Sequence, residues 1–63
     1  MVKINGVSLD IAGTSLADYL QDKGYKVALI AVEYNGEILP RSQYDIVLAD
    51  DDSLEIVSFV GGG

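Results

Sequence analysis

Two Asn-Gly steps, at Asn5-Gly6 and Asn35-Gly36, limit this chain more than any other feature of its sequence. Asn-Gly supplies the two consecutive positive-φ residues that a tight antiparallel turn requires, so each step marks a hairpin. Before the first, Val2-Lys3-Ile4-Asn5 alternates apolar with polar; after it, Val7-Ser8-Leu9-Asp10-Ile11 does the same. The pattern predicts an N-terminal hairpin with Val2, Ile4, Val7, Leu9 and Ile11 directed at a core. Between the two steps lies one helical pattern, from Gly13 to Gly24. Thr14 or Ser15 is the candidate N-cap, and Asp18 sits favourably in the first turn. Leu16, Tyr19, Leu20 and the stem of Lys23 form one apolar stripe, and Gly24 is a natural left-handed stop. A helix of about ten residues is expected from these signals.

The rest of the chain reads as strands. In Leu29 to Tyr34, Ile30, Val32 and Tyr34 fall on one face, Ala31 and Glu33 on the other. Glu37-Ile38-Leu39 resumes after the second turn, and Pro40, which has no ladder donor, places that piece at an edge or a strand end. Arg41-Ser42-Gln43-Tyr44 reads as a short helical turn. Asp45 to Leu48 reads equally as a short strand or an extended connection. Leu54 to Phe59 is the last strand, with Leu54 and Ile56 inward. Hairpin, helix, then more strands lets the helix cover one sheet face, with the first and last strands parallel in the sheet centre. The expected class is α+β: a β-grasp (ubiquitin-like) mixed sheet with one helix packed on one face and a flexible C-terminal Gly tail. Residues 1–60 are expected to form the domain and residues 61–63 the tail.

Composition narrows the function. A 63-residue chain that is 49% hydrophobic is one small folded domain, not a disordered segment. Ten acidic residues against four basic give a net charge of −6, which disfavours nucleic acid and anionic membranes as partners. With no Cys there is no disulfide framework, and no signal-peptide pattern opens the sequence, so a cytoplasmic location is expected. The longest mostly apolar stretch, Val27 to Val32, is too short to cross a bilayer.

The catalytic inventory is poor. Without His or Cys there is no familiar base–nucleophile pair and no zinc set, so an enzyme and a metal site are not expected. Asp50-Asp51-Asp52 lacks the spacing of a calcium loop and reads as a solvated turn before the last strand.

Taken together, Val32-Glu33-Tyr34-Asn35-Gly36-Glu37-Ile38-Leu39-Pro40-Arg41-Ser42, Asp51 or Asp52 opening the last strand, Leu54-Glu55-Ile56-Val57, and the final Val60-Gly61-Gly62-Gly63 resemble the bacterial sulfur carrier proteins of thiamin biosynthesis, the ThiS family, over the whole length. The resemblance implies that the carboxylate of Gly63 is adenylated by an E1-like partner enzyme that consumes ATP. Sulfur from a donor such as a cysteine desulfurase then gives a thiocarboxylate, and a thiazole synthase takes that sulfur for thiazole formation. It implies a recycled cosubstrate with no bound cofactor. The small subunit of molybdopterin synthase also ends in Gly-Gly but is usually longer, and a ubiquitin-like modifier or interaction domain is a further alternative.

The tail fits that chemistry on its own terms. Gly61 and Gly62 are slim and adopt any backbone angle, as entry into a partner's active site requires. Val57 and Phe59 are opposite in phase to Leu54 and Ile56, hence on the uncovered face, where Phe59 is either an interface anchor or folded back over the sheet end. With Val60 they form the expected partner interface. Arg41 either joins that interface by pairing with an acidic patch on a partner or caps the Pro40 turn.

Overall fold

The computed structural model describes residues 1–59, and Val60, Gly61, Gly62 and Gly63 lie outside the described residues. Its elements are β1 (Val2–Ile4), β2 (Val7–Leu9), helix α1 (Leu16–Asp22), β3 (Ile30–Tyr34), β4 (Glu37–Ile38) and β5 (Ser53–Ser58), with 3₁₀ helices at Val27–Leu29 and Arg41–Gln43. The strands form one mixed sheet in the order β2-β1-β5-β3-β4. Both Asn-Gly steps close two-residue hairpins, with φ of 50° and 84° at Asn5 and Gly6 and of 51° and 89° at Asn35 and Gly36. β5 lies parallel to β1 (Lys3↔Ser53, Ile4↔Leu54) and antiparallel to β3 (Ile30↔Ser58 through Tyr34↔Leu54). This is the expected β-grasp arrangement.

Helix α1 is seven residues long because both ends are closed. Ser15, of the two candidates, is the N-cap, its side chain accepting from Asp18 N–H. At the other end Gly24 N–H donates to Gln21 O (3.1 Å) and Tyr25 N–H to Leu20 O (2.9 Å), the paired bonds of a Schellman stop, with Gly24 at φ 80°. Lys23 is the C-cap and is exposed, so its stem is not part of the buried stripe. Leu16, Tyr19 and Leu20 pack with Val2, Ile4, Ile30, Val32, Leu54 and Ile56.

One inward expectation changes at the margin, and one open reading is settled. Val7 shares the face of its partner Ile4 yet is 57% exposed, because β2 is an edge strand with a neighbour on one side only. Residues 45–48 form no strand of the sheet. They run as an extended connection beside the helix start, with Leu16 N–H donating to Ile46 O and Leu48 N–H to Thr14 O, and one isolated bridge, Ser15↔Val47. That path buries Tyr44 and Leu48, core residues that the local pattern did not single out.

Side chains from both Asn-Gly turns reach β5. Asn5 Oδ1 accepts from Ile56 N–H (2.7 Å) and its Nδ2 donates to Ile56 O (3.3 Å), extending the β1 edge past the end of that strand. Asn35 Oδ1 accepts from Ser53 N–H (2.9 Å), while its backbone N–H donates to Ser53 O (2.8 Å). The reading of Asp50-Asp51-Asp52 as a solvated turn holds for Asp50 and Asp51, which are exposed, but Asp52 is buried. Its carboxylate accepts from Tyr34 OH (2.8 Å), Ala49 N–H (2.9 Å) and Asn35 Nδ2 (3.2 Å). Burial pushes its pKa up, but these three donors outweigh it and hold the carboxyl below its ordinary value.

These contacts are open to two tests. Asn5→Gly keeps the positive φ but loses both bonds to Ile56, and is expected to lower unfolding stability by about 1–2 kcal/mol. Wild-type stability in denaturant titrations would mean that Asn5 serves the turn alone. Asp52→Ala is expected to cost about 2–3 kcal/mol at neutral pH, since its donors lose a charged acceptor. A carboxyl depressed in the folded state contributes stability above its unfolded pKa and loses it as pH falls through the folded value. The gap between wild type and Asp52→Ala is therefore expected to narrow on acidification below 3.8, the ordinary value for this group. A gap insensitive to acid would contradict the ionised network.

Candidate functional site

The site is built where β5 leaves the sheet. Its pairing with β3 carries through Ile30↔Ser58, and one step further Phe59 N–H donates to Leu29 O at 2.8 Å. The period of two along β5 turns Leu54 and Ile56 into the core and Glu55 and Val57 outward. Val57 is 53% exposed and Phe59 61% exposed, so of the two readings of Phe59 the structure supports the solvent-facing one.

Register places other residues on this outer face. Ala31 is the partner of Val57 and Ile38 the partner of Glu33, and Ile38 is also widely exposed. Glu33 and Glu55 stand directly opposite each other, a like-charge pair that mildly destabilises a sheet. Phe59 borders a shallow groove of about 220 Å³, lined in part by Ile30, Ala31, Ile38, Pro40 and Arg41. The face thus offers separated apolar side chains with acidic ones beside them, a chemistry suited to a partner that brings apolar and basic groups.

Arg41 caps a turn, but not the one at Pro40. Its Nε donates to Val27 O (3.1 Å) and its Nη2 to Ala28 O (3.3 Å) and Ile30 O (3.4 Å). These carbonyls belong to the 3₁₀ helix that leads into β3 and to the first residue of β3 itself. No identity of side chain marks them in the sequence, so the destination of Arg41 could not be found there. Among the described residues, no group of three His, Cys, Asp or Glu side chains converges to hold a metal ion. No helix among them is long and apolar enough to cross a membrane.

Of the expected site residues, the structure brings Val57, Phe59 and Arg41 to one end of the β3–β5 pair. Val60 and the glycines Gly61, Gly62 and Gly63 fall outside the described residues.

Among the comparisons with known proteins, the family model and the solved structure carry the same family name. A family model described as the ThiS family matches residues 2–63. A thiazole synthase of Magnetococcus marinus is 42% identical over 53 residues, 82% of this chain and 16% of that protein. A thiazole synthase of Paramagnetospirillum magneticum is 39% identical over 62 residues, 95% of this chain and 19% of that protein. The chain therefore spans less than a fifth of the length of these curated relatives. The crystal structure of a thiamine biosynthesis protein (ThiS) from Geobacter metallireducens matches with a TM-score of 0.72 and 31% identity, covering 98% of this chain and 97% of that one.

Exposure of the outer face has a direct thermodynamic consequence. Val57→Ala and Phe59→Ala are each expected to change unfolding stability by no more than about 0.5 kcal/mol, the range of ordinary surface substitutions. Leu54→Ala, which truncates a side chain buried on the same strand, is expected to cost about 2–5 kcal/mol. Comparable losses for Phe59→Ala and Leu54→Ala in thermal melts would place Phe59 in the core.

Proposed function

The chain belongs to the ThiS family, and from that footing we propose that it is a sulfur carrier of thiamin biosynthesis whose reacting group is the carboxylate of Gly63. The observation that carries the proposal is the family match, which runs through the glycine segment at residues 61–63. The position of the exposed Val57 and Phe59 at the exit of β5 supports it, since a docking face beside the tail aims the reacting end.

A free carboxylate is a poor electrophile. In the proposed cycle an E1-like enzyme directs a carboxylate oxygen of Gly63 onto the α-phosphorus of ATP, and pyrophosphate leaves. The acyl-adenylate now carries AMP as a leaving group. Attack by the terminal sulfur of a persulfide on a donor such as a cysteine desulfurase forms the C–S bond and releases AMP, giving an acyl disulfide. A thiol then cleaves its S–S bond, is itself oxidised to a disulfide, and leaves a thiocarboxylate. A thiazole synthase takes that sulfur onto its substrate as the acyl C–S bond breaks, and an oxygen from the substrate or water restores the carboxylate. The two relatives named thiazole synthase, each with a segment similar to this chain inside a much longer one, support a synthase as a partner. The protein acts as a cosubstrate; ATP is consumed by its partner.

In this cycle Gly61 and Gly62 serve as a slim lead into the activating site, and Val57, Phe59 and Val60 as the surface that docks first. The absence of Cys from the sequence fits a reducing, cytoplasmic setting.

The test is ATP-dependent acyl-adenylate formation with the activating enzyme. Deleting Gly63 withdraws the terminus by about 3.5 Å. That displacement is expected to slow adenylation by at least about a hundredfold, since 1 Å already costs this much. Gly62→Val is expected to slow it as well, because a β-branched side chain widens and stiffens the tail. Phe59→Ala is expected to weaken binding by about 1–3 kcal/mol. None of the tail changes is expected to move the melting temperature. Normal adenylation of the chain lacking Gly63 would overturn the proposal.

A further inference from the structure

We infer that Arg41 is a positioning residue that fixes where the reactive tail leaves the domain, an inference that rests on the carrier reading. Arg41 is itself well anchored. Leu39 and Tyr44, which flank its short 3₁₀ helix, are both buried, and Pro40 enters that helix with φ −61° and ψ 145°. From there the guanidinium crosses to the carbonyls of Val27, Ala28 and Ile30. Those three residues bracket Leu29, and the carbonyl of Leu29 receives the N–H of Phe59. The segment that Arg41 holds is therefore the one that holds the end of β5.

That segment needs outside support. The 3₁₀ helix at Val27–Leu29 has no side-chain cap, and none of its residues is buried. Val27 and Leu29 are 39% and 37% exposed, so their burial anchors it weakly. A charged, planar group with several fixed donors is suited to gathering three carbonyls at once, and a lysine ammonium, a point charge on a flexible stem, is not. Phe59 and Arg41 also line the same groove, which joins the fastening point to the exposed ring proposed to dock. A shift at Leu29 would move both the docking ring and the start of the tail. Each further residue toward Gly63 adds up to about 3.5 Å of reach, so an angular error at Phe59 grows along the tail.

The competing role for Arg41 is a direct charge contact with an acidic patch on the activating enzyme. The two make opposite demands on a lysine. Wild type, Arg41→Lys and Arg41→Ala would be compared in two measurements: amide hydrogen exchange at Phe59 against Val32 and Ile56, and adenylation kinetics over a range of ionic strength. Fastening predicts that both variants speed exchange at Phe59 by about tenfold or more, with Val32 and Ile56 unchanged. It also predicts that kcat falls by about tenfold or more while the salt dependence of KM stays at its wild-type value, without rescue by lysine. Unchanged exchange at Phe59 would overturn the inference, as would a loss confined to KM that lysine restores. A wild-type chain that is not adenylated at all would instead refute the carrier reading. In that case the exchange data would still decide whether Arg41 fastens the strand exit.

Discussion

The pairing of β5 between β1 and β3 holds this domain together, because it joins the first strand to the last with almost the whole chain between them. Such a pairing forms only after a long loop has closed, and closure carries an entropic cost that local contacts do not share. The chain reinforces this one junction from several directions. Asn5 extends the β1 side by two hydrogen bonds to Ile56, Asn35 binds both backbone groups of Ser53, and Asp52 gathers donors from β3, its turn and the preceding connection. Residues that shape turns also tie those turns to the central strand.

A central final strand has a functional consequence. β3 pairs along the whole of β5, and β1 and Asn5 engage its first half. Its inward side chains pack in the core with those of α1, so among the described residues its outer face is the side left exposed. In the proposed function the reacting group follows such a strand, which separates folding from chemistry. The core, from Val2 to Ile56, can be optimised for stability while the outer face keeps exposed apolar residues and the opposed Glu33–Glu55 pair, neither of which helps the isolated domain. Features that work against the free monomer are where partner contacts are to be sought.

Legibility in the sequence followed the range of the interactions. Turns at Asn5-Gly6 and Asn35-Gly36, a cap at Thr14 or Ser15 and the stop at Gly24 are set within a few residues, and each formed, the cap at Ser15. The outward phase of Val57 and Phe59 needed only the period of two along one strand. The features that stayed hidden depended on distant neighbours. The donors Tyr34 and Asn35 lie 18 and 17 residues from Asp52, so an acidic triplet gave no sign that its third member is buried. Val7 carried an inward pattern but sits on an edge strand, and strand order is not a local property. Arg41 ends on backbone carbonyls, which every residue possesses.

The central claim is that Gly63 carries sulfur, and the most direct measurement is the intact mass of the protein isolated from cells that are making thiamin. The account predicts a population heavier than the unmodified chain by the difference between one sulfur and one oxygen atom, with the added mass located on Gly63 by fragmentation. It also predicts that this population disappears when the activating enzyme is removed. A chain of unmodified mass under those conditions, or sulfur placed on any residue other than Gly63, would contradict it.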